Sequence, residues 1–419
     1  MKISIHKVVN VLFFVYYFTL MVFVSNKSTL LISKVALLLM LLVMLLDIAK
    51  HRYLLDVGLP IRLYAPFFIF CAMSIIWAID RLQALTTIIT LAQMFVLIIF
   101  IYGYYSIYDD AGFLIWSVVM AGLCMSFYCL HYYGIDAYIT AITIKGRLGN
   151  DIANANAIAI NAAIALIGCI YYFLYEKKIR YLLVSVVPVI VILGTSSRTG
   201  FLIGCFGVIV LFIVKSIDPQ NVVKTIGKLI IAAIILLIAA NFVVKLLPNT
   251  SISERLETLF NYFSKSGGVV DTSTLERMQM IALGKKIFFS SPLFGIGIDN
   301  ARVIASQSGF WNTYLHNNFI ELLADVGIIG FVLFYFFYVV LFLKVYQILP
   351  SLKIVMKKDP WIVVISIIML CRLIMDYGGI SYYEQNFYVL YAVALLAINK
   401  FNLNYSPLCG ESGLKPHSY

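Results

Sequence analysis

The sequence predicts an all-α polytopic membrane protein, and three observations carry this prediction. Hydrophobic residues make up 62% of the 419 positions and charged residues only 12%, whereas soluble domains are roughly half apolar and a quarter charged. The apolar residues come in runs of about 17 to 25, long enough for a helix to cross ~30 Å of hydrocarbon. Because lipid offers the backbone no hydrogen-bond partner, such runs must be helical.

We predict about twelve membrane-spanning helices from these runs. Their ranges are 9–24, 30–49, 63–79, 84–107, 112–133, 153–175, 180–196, 199–214, 226–247, 327–346, 361–378 and 383–399. The first run lacks a small-residue cleavage site, so we interpret it as a retained span and not as a signal peptide. The chain therefore divides into nine spans in residues 1–247, a large outer loop in 248–315, and three spans with a tail in 316–419.

Lysine and arginine fall in alternate loops, which sets the orientation because short basic loops resist export. With a cytoplasmic N-terminus, the inner loops hold Lys50, Arg52, Arg62, Lys177, Lys178, Arg180, Lys215, Lys224, Lys228, Lys344, Lys353, Lys357 and Lys358. Both termini are then expected in the cytoplasm. The net charge of +11 is mainly a topology signal and gives little support for nucleic acid as a partner.

Two outer loops are long, at 134–152 and 248–315, and loops of this length inside a compact fold are usually functional. In the longer loop, residues 251–263 and 274–292 each have the pattern of an amphipathic helix. A glycine-bearing turn follows Pro292. The loop ends in a polar stretch that we predict to be helical and to run straight into the tenth span.

Arginine is unexpectedly frequent on the predicted outer face, since export disfavours it. The outer arginines are Arg81, Arg147, Arg198, Arg255, Arg277 and Arg302. A guanidinium binds phosphate oxygens through two parallel hydrogen bonds, so these residues favour a diphosphate site. The alternative is that they pair with outer acidic residues, such as Asp299, or with lipid phosphates. Arg198 is a strong candidate because GTSSRTG joins two spans with almost no loop, at the membrane surface.

Two histidines, His131 and His316, lie near the outer face. His316 opens the stretch HNNFIELLADVGIIG and, if helical, shares a face with Ile320 that looks toward the bundle. An imidazole there can accept a proton from a hydroxyl near neutral pH, as a general base must. The alternative is a histidine that caps or hydrogen-bonds the loop. His131 lies among tyrosines at a span end, which favours interfacial anchoring.

Two ionisable residues occur near the end of the eleventh span, where charges usually have a function. Arg372 and Asp376 are four residues apart and could form a closed ion pair. Alternatively, Asp376 orients His316 or an arginine of the site, which would place the eleventh span beside the long loop. The cysteines predict neither a disulfide nor a metal site, because six of the seven lie in apolar spans.

Four stretches of the chain resemble the O-antigen polymerase and O-antigen ligase superfamily of bacterial envelope-glycan assembly, in the family's order. They contain Gly149, Asn150, Asn154 and Asn156; then Arg198; then Arg277, Pro292, Gly295 and Gly297; then His316, Asn317, Gly327 and Gly330. The resemblance covers about 145–385, and the last stretch is its most specific part. In the first stretch, relatives often have Asn-Pro-Asn where this chain has residues 151–154.

The resemblance implies a glycosyltransferase of the bacterial inner membrane with a fold similar to the GT-C class. The donor would be an oligosaccharide on undecaprenyl or another polyprenyl diphosphate, used at the periplasmic face. Arg198 and Arg277 would stabilise the leaving diphosphate, and His316 would activate the acceptor hydroxyl. Attack opposite the diphosphate would invert the anomeric centre, and no metal or other cofactor is expected. The remaining substrate-binding residues would be Arg147, Asn154, Asn156, Arg302, Asn317 and Asp376.

Three functions stay open at this point. A polymerase would add repeat units to an O-antigen or capsule chain, whereas a ligase in lipopolysaccharide biosynthesis would move the chain to lipid A-core. The tenth-span motif and the isoleucine- and tyrosine-rich background resemble polymerases of surface-glycan clusters, which favours the polymerase. A lipid-linked glycan transporter is the third candidate, but such folds usually show two related halves, which this sequence lacks. The implied partners are the bilayer, a chain-length regulator and a flippase.

Overall fold

The computed structural model describes residues 4–23, 30–144, 146–216 and 272–404, with isolated helical positions between 227 and 238. These residues form helices and connecting loops, without a strand. The α-helices, numbered α1 to α17 in chain order, are Ile5–Phe23, Leu30–His51, Gly58–Leu63, Ala65–Met73, Arg81–Tyr108, Ala111–Tyr133, Ile135–Thr143, Ala155–Glu176, Ile179–Val184, Val186–Gly194, Arg198–Ser216, Thr272–Ser290, Ala301–Gln307, Asn318–Gln347, Leu352–Lys358, Trp361–Met375 and Gln385–Asn404.

The structure confirms an all-helical polytopic membrane protein, and each predicted span within the described ranges falls on an apolar helix. Eight helices are long and apolar enough to cross a membrane, namely α1, α2, α5, α6, α8, α11, α14 and α17. Shorter apolar helices at Ala65–Ile76, Ile179–Gly194 and Trp361–Met375 match three further predicted spans. The predicted span at 226–247 and the predicted amphipathic helix at 251–263 lie outside the described ranges. The helix predicted at 274–292 is present as α12, Thr272–Ser290.

Small residues let the central helices pack closely around α8. A Cβ atom added at Gly200 of α11 would lie 2.3 Å from the Cβ atom of Ala159, and one at Gly122 of α6 would lie 2.9 Å from that of Ala165. Dispersion contacts between closely approaching backbones stabilise helix pairs in lipid, where the hydrophobic effect contributes little. The packing therefore fixes the starts of α8 and α11 next to each other at one end of the bundle.

The peripheral helices present apolar side chains outward. Leu38, Leu42 and Leu46 on α2 are 65%, 52% and 57% exposed, although each is a large aliphatic residue. In a soluble protein such a surface would aggregate, whereas hydrocarbon solvates it without cost. The exposed surface of α2 thus agrees with a lipid-facing position.

The polar stretch leads directly into the tenth span as α14, as predicted, and this helix has a break at Gly327. Gly327 has φ 64° and ψ −169°, a conformation that is accessible essentially to glycine alone. At the break, backbone N–H and carbonyl groups of α14 form hydrogen bonds with the turn after Pro292 instead of within the helix. Gly297 N–H donates to the Asp325 carbonyl at 2.8 Å, and Ile328 N–H donates to the Pro292 carbonyl at 2.9 Å.

The turn at 292–300 is held from its other side by the connection between α4 and α5. Ile79 N–H donates to the Ile296 carbonyl at 3.3 Å, and Ile298 N–H donates to Ser74 Oγ at 3.0 Å. The last part of the long loop is therefore docked on the bundle, and it fixes the start of α14 relative to α4 and α5.

We predict that Gly327→Ala destabilises the protein by about 2–4 kcal/mol, through backbone strain and overpacking. The added Cβ atom would lie 2.3 Å from the Leu293 carbonyl oxygen. The midpoint of thermal unfolding in detergent measures the effect. The matched control is Gly112→Ala, because a Cβ atom at Gly112 meets nothing within 4 Å. Equal midpoints for the two variants would contradict the role of the break.

Candidate active site

One end of the bundle contains an open cavity with a volume of about 270 Å³. Its lining comes from the loop before α8, the starts of α8 and α11, helix α12, the residues before α14 and the connection between α16 and α17. The polar and charged lining residues are Arg147, Asn154, Asn156, Thr199, Arg277, Tyr314, His316, Arg372, Asp376, Tyr383 and Glu384. Three guanidinium groups, two carboxyl groups and one imidazole thus meet in one space.

The wall beside α8 is built by its N-terminal cap. The Asn154 side chain accepts a hydrogen bond from Asn156 N–H at 2.9 Å, as residues at this position commonly do. Asn156 Oδ1 accepts from Arg147 Nη2 at 3.1 Å and from Ser197 Oγ at 2.9 Å. Arg147 is therefore tied to the two helix starts. The partial positive charge of an α-helix N-terminus adds to the guanidinium charge at this wall.

His316 lies just before α14 and not within it, so the predicted helical face was wrong. Its φ is 57°, a left-handed conformation that is uncommon for residues other than glycine. Asn317 is the N-cap of α14 and accepts from Ile320 N–H at 3.0 Å. Its side-chain amide donates to the Tyr377 carbonyl at 3.1 Å. Asn317 is buried and holds His316 against the connection between α16 and α17.

Asn318 attaches the start of α14 to the same connection. Its backbone N–H donates to the Asp376 carbonyl at 2.8 Å, and its side-chain oxygen accepts from Ser381 N–H at 3.0 Å. Its amide nitrogen donates to Tyr335 Oη at 2.9 Å, and that hydroxyl donates to Asp376 at 2.8 Å. The eleventh span therefore lies beside the end of the long loop. The alternative in which Asp376 orients a residue of the site required this arrangement.

Burial and, to a smaller extent, the positive charge of Arg277 together lower the pKa of His316 to about 4. The imidazole ring also packs against Tyr314, with the ring centroids 4.4 Å apart. His316 is therefore neutral at physiological pH and has a lone pair with which to accept a proton. The pKa shift also reports that the imidazole and the Arg277 guanidinium share one electrostatic environment.

The closed ion pair between Arg372 and Asp376 is not what the structure shows. Arg372 Nη2 pairs instead with Glu384 Oε2. The Asp376 carboxylate accepts hydrogen bonds from Tyr335 and Asn318. Asp376 is 1% exposed, although it contributes to the cavity lining. Its contacts place it as a support for Asn318, and through Asn318 for the neighbouring His316.

Arg302 does not line the cavity, but it forms a hydrogen bond with Tyr383, which does. Its Nε atom lies 2.6 Å from Asp299 Oδ1, and its Nη2 atom donates to Tyr383 Oη at 3.1 Å. The alternative that an outer arginine pairs with Asp299 therefore holds for Arg302. Tyr383 lines the cavity, so this pair fixes one of its walls.

Asp299, Glu321 and Asp325 form a buried acidic group whose oxygens lie within 4.8 Å of one another. Asp299 Oδ2 accepts hydrogen bonds from Gln83 and Thr87, and its Oδ1 accepts from Tyr382 and faces Arg302. With these donors in place, little of its capacity to bind a cation remains. Asp325 accepts from two backbone N–H groups of the 299–301 segment. The group joins the docked turn to α14.

The structure thus brings six of the nine predicted site residues to one cavity: Arg147, Asn154, Asn156, Arg277, His316 and Asp376. Arg198, Asn317 and Arg302 do not line it, although Asn317 follows the lining residue His316 and Arg302 donates a hydrogen bond to the lining residue Tyr383. Arg198 begins α11 beside the lining residue Thr199. Sequence reasoning missed Tyr314, Tyr383 and Glu384. Glu384 had one usable signal, because it is an acidic residue close to the start of an apolar helix.

Comparison with known protein families gave a match. Residues 183–335 match the family model described as O-antigen ligase. The match covers Arg198, Arg277, the turn after Pro292 and His316, and it confirms the resemblance to the O-antigen polymerase and ligase superfamily. No curated protein sequence matches the chain. The match supports a function of the O-antigen polymerase or ligase type in a bacterial membrane.

We predict that Arg277→Gln raises the pKa of His316 from about 4, while leaving it below the ordinary value because burial is the larger cause. Nuclear magnetic resonance of the histidine-labelled protein measures this titration, with the signal assigned by its loss in His316→Ala. The folded pKa is depressed, so the contribution of His316 to stability is complete above its unfolded pKa of about 6.5 and is lost as the pH falls through about 4.

The control for this titration is Arg180→Gln, which removes an arginine whose guanidinium lies over the Tyr181 ring, away from the cavity residues. It should leave the titration of His316 unchanged. A wild-type pKa near the ordinary value, or the same pKa in Arg277→Gln and wild type, would show that the two groups do not share an environment.

Proposed function

We propose that this chain, with its O-antigen ligase family domain, transfers an oligosaccharide from polyprenyl diphosphate to an acceptor hydroxyl. The observation that carries the proposal is the position of Arg147, Arg277 and His316 on one cavity. Anion-binding groups and a neutral imidazole are the two components that displacement of a diphosphate by a hydroxyl requires. They come from segments far apart in the chain.

The arginines stabilise the leaving diphosphate. As the bond to the anomeric carbon breaks, negative charge grows on the diphosphate and oxocarbenium character grows on the sugar. Arg147 and Arg277 line the cavity and are fixed charges aimed at that space, so they need little reorganisation during reaction. Arg198 begins α11 next to the lining residue Thr199. The reaction needs no metal in this scheme, because guanidinium groups supply the positive charge.

His316 accepts the proton of the acceptor hydroxyl. Arg277 depresses the pKa of its imidazole, so a diphosphate that neutralises Arg277 would raise this pKa toward the ordinary value. Donor binding would thereby make His316 a stronger base at the moment when it is needed. Attack on the face opposite the diphosphate inverts the anomeric centre.

The predicted topology assigns the cavity to the periplasmic face of the inner membrane. Its lining residues lie at ends of helices that the distribution of lysine and arginine predicts to be outside. Lys177, Lys178, Lys344, Lys357 and Lys358 lie at opposite helix ends or in the loops that follow those ends. A periplasmic site suits a donor whose energy is stored in a lipid diphosphate bond, since nucleotide sugars are absent there.

Polymerisation of lipid-linked repeat units into O-antigen or capsule is our first proposal, and ligation to lipid A-core is the second. The ligase has an observation in its favour, because the matching family model is described as O-antigen ligase. Both reactions use the same donor and the same leaving group. They differ in the acceptor, so the acceptor decides between them.

Purified protein in detergent, supplied with single repeat units on polyprenyl diphosphate, tests the proposal. We expect a ladder of lengthening products from the wild type. Transfer only onto added lipid A-core would identify a ligase, and no transfer to either acceptor would contradict the proposed reaction.

We predict that His316→Ala lowers this transfer by about 100-fold or more, since a positioned base contributes 10²–10⁴-fold. The matched control is His131→Ala, which removes an exposed histidine at the end of α6 and should keep wild-type turnover. Equal turnover in both variants would remove the assignment of His316 as the base.

A further inference from the structure

Arg372 is a cavity residue that the proposed reaction does not yet use. It lies in the last turn of α16, one turn before the helix ends at Met375. Its side chain is 5% exposed, yet it contributes to the cavity lining beside Arg277 and Tyr314. A guanidinium this deeply buried normally has its hydrogen-bonding capacity satisfied.

The hydrogen bonds of Arg372 are incomplete. Its Nη2 atom pairs with Glu384 Oε2, but its buried Nε atom has no hydrogen-bond partner among the described residues. The guanidinium carbon lies 5.8 Å from the centre of the Phe387 ring, which orients the group without satisfying Nε. An unpaired buried donor costs about 1–3 kcal/mol, so a ligand that reaches it recovers that energy.

Glu384 is the more exposed member of the pair. Its side chain is 42% exposed, against 5% for Arg372. Water can therefore solvate the carboxylate if it moves away, whereas Arg372 is held in place by the helix. Carboxylate and phosphate present the same geometry to a guanidinium fork, so a phosphate can replace Glu384 on Arg372.

We propose that Arg372 is a further binding residue for the donor diphosphate, and that Glu384 is the counter-charge this diphosphate displaces. The inference rests on the proposed function and names a residue of that same site. Arg372 lies in the last turn of the apolar helix α16, so the predicted topology puts it near the membrane surface, where the phosphate attached to the polyprenyl chain would lie. Arg277 and Arg372 then bind one diphosphate from two sides.

Binding of polyprenyl diphosphate to the full-length protein in detergent, with polyprenol of the same chain length as the control ligand, tests this inference. Arg372→Lys keeps the charge but removes the planar fork, so we expect diphosphate binding to weaken by about tenfold or more and polyprenol binding to stay unchanged. Unchanged diphosphate binding, or equal weakening for both ligands, overturns the proposal.

Glu384→Gln gives the opposite expectation and separates ligand binding from a structural role. Without the competing carboxylate, Arg372 should bind polyprenyl diphosphate several-fold more tightly, at the cost of a lower midpoint of thermal unfolding without ligand. Weaker or unchanged diphosphate binding in Glu384→Gln would mean that the pair only holds α16 to α17.

The wild-type result separates this inference from the proposed function. If the wild type prefers the diphosphate over polyprenol and Arg372→Lys does so equally, only the role of Arg372 is wrong. If the wild type shows no preference for the diphosphate, the proposed donor is wrong and the role of Arg372 is wrong with it.

Discussion

The attachment of the start of α14 to the connection between α16 and α17 is the interaction on which the site depends. Asn317 and Asn318 make hydrogen bonds to Tyr377, Asp376 and Ser381. These bonds are buried, where an unmade hydrogen bond is costly, so they specify one arrangement of the two segments. They place His316 on the cavity that Arg372 and Glu384 also line.

A second constraint sets the position of that helix start. The break at Gly327 exposes backbone groups that the turn after Pro292 satisfies, and the acidic group around Asp299 and Asp325 joins the same turn to α14. Helix α12, which carries Arg277, leads directly into this turn. The backbone of a loop that hydropathy alone would describe as an insertion thus determines where a guanidinium and an imidazole meet.

The sequence predicted the spans well because hydropathy is a local property that lipid enforces directly. It also predicted Arg147, Arg277 and His316 in the two long outer loops and at the start of the polar stretch, and the structure brings these three residues to one cavity. The sequence-based prediction failed where residues distant in the chain determine which side chains pair. The spacing of four residues allowed an ion pair between Arg372 and Asp376, but Tyr335 and Asn318 hydrogen-bond to Asp376, and Arg372 pairs with Glu384 from the segment before α17. The break at Gly327 depends on carbonyl acceptors and a turn that no local pattern contains.

The central proposal is that the cavity combines fixed positive charge with one neutral base. A cryo-electron-microscopy map of the full chain with a non-hydrolysable phosphonate analogue of the polyprenyl diphosphate sugar tests it most directly. We expect oxygens of both phosphonate groups at hydrogen-bond distance from the Arg277 guanidinium, at about 3 Å, and the anomeric carbon on the side of His316. Binding of the analogue at the opposite end of the bundle, or an imidazole separated from the sugar by other side chains, would contradict it.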